Sequence, residues 1–296
     1  MDGYKKIVKS QKVRMAILKG LSFVPDKMMI KLQYRIKLGR KLDLKSPQRY
    51  TEKIQWYKLY YRNPIMTKCV DKYQVREFVE EKGLAHILTK LYGKYDAVSE
   101  IDYRQLPGKF IIKTTNGSGT NIICHSKPNF DWEIAKKKLA EYISRPTISA
   151  GREWAYYDVC NRIVVEELLE DSSNPYGGIN DYKFMCFNGK AECVVVDVGR
   201  LTNHKRNFYD MKWQRINVSS DHENFEPDID EPKNFSGMIS VAERLSEGFP
   251  YVRVDLYNID GKIYFGEMTF YPWSGYVKFE PDEFDYMVGE KFNINI

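Results

Sequence analysis

Up to about residue 90 the apolar positions recur at three- and four-residue spacing, the helical period. "RYTEKIQWYKLYYRN" (49–63) and "TKCVDKYQVREFVEEKGL" (67–84) each predict an amphipathic helix, with Pro64 between them and Gly83 as a C-terminal stop. From "KFIIKTTNGSGTNIICHS" (109–126) onward the pattern turns to strands, over 110–113 and 121–124, joined by a polar loop containing glycine. A helix follows over 132–143, and "NRIVVEELLE" (161–170) then predicts a buried strand that ends in acids. "DYKFMCFNGKAECVVVDVGR" (181–200) predicts a second hairpin, turning at Asn188-Gly189. Residues 203–235 are polar, aromatic and proline-containing and predict a long excursion, after which "SGMISVAERLSEG" (236–248) predicts an amphipathic helix leading into a last hairpin.

That hairpin, "RVDLYNIDGKIYFGEMTF" (253–270), sets two carboxylates into apolar strands. "NIDGK" suits a three-residue loop, a type I turn with Gly261 in the left-handed position, which pairs Asn258 with Lys262. Asp255 then lies opposite Phe265 and Arg253 opposite Glu267, so Arg253, Asp255, Glu267 and Thr269 share one face. The acids become diagonal neighbours, roughly 7–8 Å apart at the backbone, close enough to reach shared cations. A two-residue Asp-Gly loop would place them on opposite faces. A lone strand acid commonly just faces solvent. Here Val252, Val254, Leu256, Tyr264 and Gly266 take the other face, and the clustering of charge on the first favours a site.

At 296 residues, 43% of them hydrophobic, the chain can bury a substantial core. Its sequence shows neither a membrane-spanning apolar run nor a signal-peptide pattern, which predicts a cytoplasmic protein. Five scattered cysteines without a C-x-x-C pair argue against a disulfide framework or a zinc site. Net charge is +6, but residues 1–45 hold thirteen Lys or Arg against three Asp, a local balance of +10. There "KVRMAILKGLSFVPDKMMIKLQYRIKLGRK" interleaves cations with apolar residues at mostly helical spacing, broken by Pro25. Such helices either lie on an anionic membrane surface or pack on the core with solvated lysine faces. Nucleic acid is not expected as a partner, because no reading motif accompanies the charge.

Lys113 ends a strand and is followed by Gly117, Ser118 and Gly119, a cation and exposed N–H groups that suit phosphate oxygens. The loop matches neither a P-loop nor G-x-G-x-x-G, and Ser118 is not in a G-x-S-x-G elbow; alone, it reads equally as a plain hairpin. The order of parts says more. "VDKYQVREF", "FIIKTTNGSGT", "RIVVEELLE", "DYKFMCFNGK" and "RVDLY" with "YFGEMTFYPWSG" follow one another as in the ATP-grasp superfamily, which the chain resembles from about Pro47 to its end. The wording of "TEKIQWYKLYYR" and "DYKFMCFNG" is similar to the teichuronopeptide-biosynthesis (TupA-like) branch, found in surface and capsular polysaccharide loci. Each motif is weak alone; five in order are specific.

The resemblance implies an α+β fold, with two α+β subdomains gripping ATP behind a helical N-terminal region. The implied divisions are 1–90, basic and helical; 91–165, the small subdomain with its glycine loop; and 166–296, the large subdomain with the nucleotide hinge and metal site. It implies that Lys72 and Lys113 hold the ATP phosphates under a flap of Gly117, Ser118 and Gly119. Glu166, Glu167, Leu168 and Leu169 resemble the hinge that reads adenine, and Asp181 takes the ribose position. Lys183 shares Asp181's strand face and reaches toward the phosphates. Asp255 and Glu267 resemble Mg²⁺ ligands, with Thr269 where the family often has Asn, a poorer ligand for a second metal. The short helical N-terminus departs from the Rossmann-like domain common in the superfamily, so the acceptor site is expected to be built differently. Arg253 is expected to stabilise charge developing on the transferred group. Plainer roles stay open: Lys72 as a surface cation, Glu166 as the end of a strand, Arg253 as the cross-strand partner of Glu267. Arg200, Lys205 and Arg206, in the polar excursion, are candidates for an anionic sugar or lipid-linked phosphate on charge alone.

The resulting expectation is an ATP- and Mg²⁺-dependent ligase joining a carboxylate to an amine through an acyl phosphate, acting on small-molecule or glycan substrates in surface polysaccharide synthesis. A kinase acting on a glycan sugar, and a nucleotide-binding scaffold anchored by its basic N-terminus, are the rivals.

Overall fold

The computed structural model describes residues 13, 20–115, 119–145, 150–200 and 202–294. Gly117 and Ser118, and most of the basic segment before Gly20, lie outside the described residues. Among the described residues the first elements are the helices α1 (Asp26–Leu38), α2 (Tyr50–Tyr60), α3 (Ile65–Val70) and α4 (Val75–Glu81). The single helix predicted over 67–84 is split between α3 and α4. Asp71 is the physical reason, because its carboxylate accepts the backbone N–H groups of Tyr73 (2.8 Å) and Gln74 (3.0 Å) and outcompetes helical carbonyls. Lys72 therefore stands in the break.

A four-stranded antiparallel sheet follows, from β1 (Leu91–Tyr95), β2 (Phe110–Thr114), β3 (Ile122–Cys124) and β4 (Ile163–Glu166), in the order β1-β4-β2-β3. β1 was not anticipated, since "LYGKY" is half-buried throughout and carries no alternation. Helix α5 (Trp132–Ile143), as predicted, joins the core beneath Phe110, Ile112, Cys124, Ile163 and Val165 through Leu139. Alternation turns Lys113 and Glu166 to the opposite face.

The larger sheet has six antiparallel strands in the order β10-β9-β5-β6-β7-β8. They are β5 (Asp181–Phe187), β6 (Lys190–Val198), β7 (Lys205–Tyr209), β8 (Arg215–Ile216), β9 (Tyr251–Ile259) and β10 (Lys262–Thr269). The expected excursion over 203–235 thus contributes two strands. β7 reads as polar because Arg206 and Asn207 are buried against polar partners, Asp197 and the backbone of Phe225. Helix α6 (Phe235–Ser246) covers the face bearing Phe184, Val254 and Leu256, with Phe184 stacked on Phe235. The opposite face is aromatic at one end, where Tyr251 hydrogen-bonds Tyr50 of α2 (2.8 Å) and packs on Phe292 just beyond α7 (Glu283–Lys291). Its other end is charged.

The last hairpin differs from the expected one in two ways that cancel. Ile259 pairs with Lys262, so the loop is the two-residue Asp260-Gly261 turn, both residues at positive φ (51° and 87°). That turn alone would set Asp255 and Glu267 on opposite faces. A β-bulge then inserts Gly266: Phe265 pairs with Leu256, and the next pair is Glu267 with Asp255. The acids end directly opposite each other, Arg253 faces Thr269 rather than Glu267, and Phe265 turns into the core. Tyr264, expected on the apolar face, pairs with Tyr257 on the acid face. Only glycine fits the bulge, since a Cβ there would stand 2.8 Å from the Asp255 carbonyl oxygen. Gly266→Ala is expected to destabilise the protein by about 1–3 kcal/mol, through forced backbone movement, in denaturant unfolding. An unchanged midpoint would show that the bulge tolerates a side chain.

Candidate active site

The charged end of the larger sheet is built by register. Lys183 pairs with Asp255, Asp181 with Tyr257 and Asp197, and Asp197 with Arg206, so all these side chains emerge on the acid face. Arg253 grips Asp255 through Nε and Nη2, both at 2.6 Å, and Nη2 also donates to Glu267 (3.2 Å) and to Thr269 Oγ1 (3.3 Å). Lys183 lies among three carboxylates, ion-paired with Asp181 and with its ammonium 3.1 Å from Asp197 and 3.9 Å from Asp255. Arg200 pairs with Asp181 from the rim, and buried Arg206 holds Asp197 with two hydrogen bonds (2.6 and 3.0 Å).

Burial is the largest influence on these groups. It pushes the Asp255 carboxyl up from its ordinary value, with Glu267 and Asp181 adding to the rise and Arg253 and Lys183 opposing it. Glu267 is also desolvated, yet Arg253, Lys72 and Lys183 more than offset this and hold it below the usual carboxylate range. Its side chain keeps 53% of its surface open, so it lies in a cleft that water enters rather than in the core. Asp197, desolvated, is carried far down by Arg206 and Lys183.

The smaller sheet supplies the other wall. Lys113 donates to Glu166 Oε2 (2.8 Å), and Arg76 of α4 takes Glu166 Oε1 (3.0 Å) while donating to the Thr89 carbonyl (2.8 Å). Lys72 connects the walls electrostatically. Desolvation lowers its pKa, Glu267 raises it from the larger sheet, and Lys113 and Glu166 act on it from the smaller one.

The arrangement fits a metal–nucleotide. Mg²⁺ is commonly held by one or two carboxylates and completed by phosphate oxygens and water, and Asp255 and Glu267 offer such a pair with Thr269 beside it. Among the described residues no three His, Cys, Asp or Glu side chains form a metal cluster, so a cation here would need ligand oxygens as well. Asp181 Oδ1 is buried without a hydrogen-bond partner, an acceptor suited to a hydroxyl.

The profile of the TupA-like ATPgrasp family matches residues 52–293. This chain belongs to the TupA-like ATP-grasp family. Its fold is accordingly the ATP-grasp α+β fold, preceded by helices. Among solved structures, the TupA-like chain is similar to the ATP-grasp ligase PsnB complexed with minimal precursor (12% identity, 71% of this chain, 54% of PsnB, TM-score 0.41). It is also similar to D-alanine–D-alanine ligase from Helicobacter pylori (12% identity, 76% of this chain, 61% of that one, TM-score 0.43). The Bacillus anthracis D-alanine–D-alanine ligase complexed with ATP shows 14% identity over 68% of this chain and 53% of its own (TM-score 0.38). The TupA-like chain thus spans between 53% and 61% of these proteins' lengths. Among curated proteins none matches in sequence.

In the TupA-like protein, the structure gathers Asp181, Lys183, Arg253, Asp255, Glu267 and Thr269 on one face, and Lys113 and Glu166 on one face of the other sheet. Glu166 is more than a strand end, being clasped by Arg76 and Lys113. Glu167, Leu168 and Leu169 are half-buried in the extended link after β4, and the Glu167 N–H donates to the Lys90 carbonyl (2.9 Å). Gly119 has φ 71° and open space beside it. Arg206 and Lys205 do not stand ready for a substrate anion: Arg206 is buried on Asp197 and Asp221, and Lys205 is paired with Glu223. Reading the sequence missed Arg76 and Asp197. Arg76 lies within the quoted "VDKYQVREF", four residues after Lys72, and Asp197 is the one acid in the apolar run "CVVVDV".

Proposed function

We propose that this protein is an ATP- and Mg²⁺-dependent ligase that activates a carboxylate as its acyl phosphate and transfers it to an amine. The observation carrying this is the acid pair Asp255–Glu267, clamped by Arg253, with the charge of Lys72 acting on Glu267 and that of Lys113 acting on Lys72. Lys72 and Lys113 bind phosphate oxygens; Lys113 spends one N–H on Glu166 and keeps the others. Asp181 accepts from the ribose, and the backbone of Glu167, Leu168 and Leu169 meets the adenine, since the Glu166 carboxylate is already occupied. Arg253 and Lys183 stabilise charge that builds on the transferred phosphoryl group. Mg²⁺, held by Asp255 and Glu267, neutralises the phosphates when bound. Nucleotide and substrates filling the cleft displace the water that would hydrolyse the acyl phosphate.

Membership of the TupA-like family supports a uronic or amino acid of a surface polysaccharide as the carboxylate. ADP release would be screened against sugar acids and amines, with mass spectrometry of the products. The expected products are ADP, free phosphate and an amide; a phosphorylated sugar without free phosphate would mean a kinase. Asp255→Asn and Glu267→Gln are each expected to lower turnover by about a hundredfold or more. Near-normal rates in both variants would overturn the assignment.

The same protein is proposed to dock on an anionic bilayer through α1. Its inner face is buried through Met29, Ile30, Gln33, Tyr34 and Leu38, yet Met28, Leu32 and Ile36 remain 63%, 51% and 51% exposed. Lys27, Lys31 and Arg35, also exposed, run beside them, so an apolar and a basic stripe lie side by side with a four-residue period. Among the described residues no helix is long and apolar enough to cross a membrane. Sedimentation with phosphatidylglycerol vesicles should capture the protein at low salt, with neutral vesicles or the Met28→Ser, Leu32→Ser, Ile36→Ser variant leaving it in solution. Equal recovery from both lipids, or capture unaffected by the substitutions, would contradict docking through this face.

A further inference from the structure

The larger sheet carries a second recess on the side away from the acid pair. Val198 pairs with Lys205, one position along from Asp197 and Arg206, so alternation turns these two side chains to the opposite face. At that end of β6 and β7 a surface cavity of about 480 Å³ is lined by Tyr176, Val198, Thr202, Asn203, Asn224 and Phe225, among others. Sites for small ligands commonly have volumes of about 300–1,000 Å³. The connection from β6 to β7 borders both places. Gly199, Thr202 and Asn203 line the cavity, whereas Arg200 pairs with Asp181 and His204 Nε2 lies 3.2 Å from Asp197 Oδ1.

The walls of the cavity are pinned by hydrogen bonds. Fully buried Asn207 fixes both backbone polar groups of Phe225: its Oδ1 accepts the Phe225 N–H (2.9 Å) and its Nδ2 donates to the Phe225 carbonyl (3.1 Å). Asn224 Nδ2 donates to the carbonyls of Arg206 and Val218, both at 3.0 Å. In the link between β4 and β5, Asn174 Nδ2 donates to the Gly178 carbonyl (2.8 Å) and to Asn180 Oδ1 (2.9 Å), and Asn174 Oδ1 accepts the Tyr176 N–H (3.0 Å). So held, Tyr176 meets Phe225 edge to face, with ring centroids 4.9 Å apart. Gly199 closes the turn below them at φ 60°, where a Cβ would stand 2.8 Å from the Asn203 carbonyl oxygen.

Charge in the lining is already neutralised within the protein. Lys205 pairs with Glu223, and Glu226 accepts two hydrogen bonds from Arg215 (2.9 and 2.5 Å). The Tyr176 hydroxyl and the Asn203 side-chain amide, by contrast, hydrogen-bond to none of the described residues. An ionic ligand would meet no open counter-charge, and a wholly apolar one would cover the Tyr176 hydroxyl without giving it a partner. A ring with apolar C–H faces and hydroxyls at its edge satisfies both walls. Resting on the ligase reading of the cleft, we infer that this cavity binds an uncharged pyranose unit of the polysaccharide substrate, other than the unit carrying the reacting acid. Its C–H groups pack on Tyr176 and Phe225, and its hydroxyls pair with the Tyr176 hydroxyl and the Asn203 amide.

Saturation-transfer NMR on the full chain tests the cavity without turnover. The probes are the methyl glycosides of glucose, galactose and N-acetylglucosamine, each alone and with saturating Mg²⁺ and a non-hydrolysable ATP analogue. At least one glycoside is expected to receive saturation from the protein, equally with and without nucleotide. Tyr176→Ala should weaken that binding about tenfold, through loss of ring contact and hydroxyl together. Thr202 is exposed, so Thr202→Trp fills the cavity without disturbing the core and should abolish the signal. No transfer to any of the three glycosides, binding that survives both substitutions, or displacement by the nucleotide or by adenosine overturns the inference. Failure of the product screen leaves this binding result standing, and loss of glycoside binding leaves the ADP-release assay intact, so the two readings fail separately.

Discussion

The Asp255 carbonyl lies 2.8 Å from the point where a side chain on Gly266 would begin, and that close approach governs the site. The tight Asp260-Gly261 turn fixes the register of β9 and β10, and by itself it would send Glu267 away from Asp255. One extra residue on β10 restores the match, at a position only glycine can occupy. Everything charged on that face inherits its place from this correction: Arg253 reaches Asp255, Glu267 and Thr269 together because all four emerge on one side. A second bulge, between Met185 and Cys186 of β5 against Ala191 and Cys193 of β6, brings Asp197 opposite Asp181 in the same manner.

Charge placed on a sheet with so little solvent is unfavourable unless each group has a partner. Here every buried acid has a cation on its own strand or the next. Asp255 has Arg253 and Lys183, Asp197 has Arg206 and Lys183, and Asp181 has Lys183 and Arg200. Only Glu267 keeps much of its surface open, which makes it the member of the pair that an entering cation meets first. The opposite wall follows the same rule, with Glu166 neutralised between Arg76 and Lys113, and Lys72 set between the walls by the Asp71 turn that breaks its helix.

Much of this was legible in the sequence because period and turn chemistry are local. The hairpin at Asn188-Gly189, helix α5 and the buried strand before Glu166 follow from alternation and glycine placement alone. The shared face of Asp255 and Glu267 was inferred with the right outcome by the wrong turn. A bulge is decided by how closely two backbones approach across strands, and no local pattern in "YFGEMTF" announces it beyond the glycine itself. Arg76 and Asp197 escaped notice for the same reason, since their partners Glu166, Lys183 and Arg206 are distant in sequence or shifted in register. β7 was hidden by its polar residues, whose partners the fold supplies.

The central claim is that Asp255 and Glu267 together hold the metal that accompanies the nucleotide. Crystals grown with Mn²⁺ and a non-hydrolysable ATP analogue, with anomalous scattering collected at the manganese edge, test it most directly. The account predicts a manganese peak about 2.1 Å from carboxylate oxygens of both Asp255 and Glu267, completed by phosphate oxygens. A nucleotide bound with its metal on Asp181 and Asp197 instead, or with no metal at either Asp255 or Glu267, would contradict it.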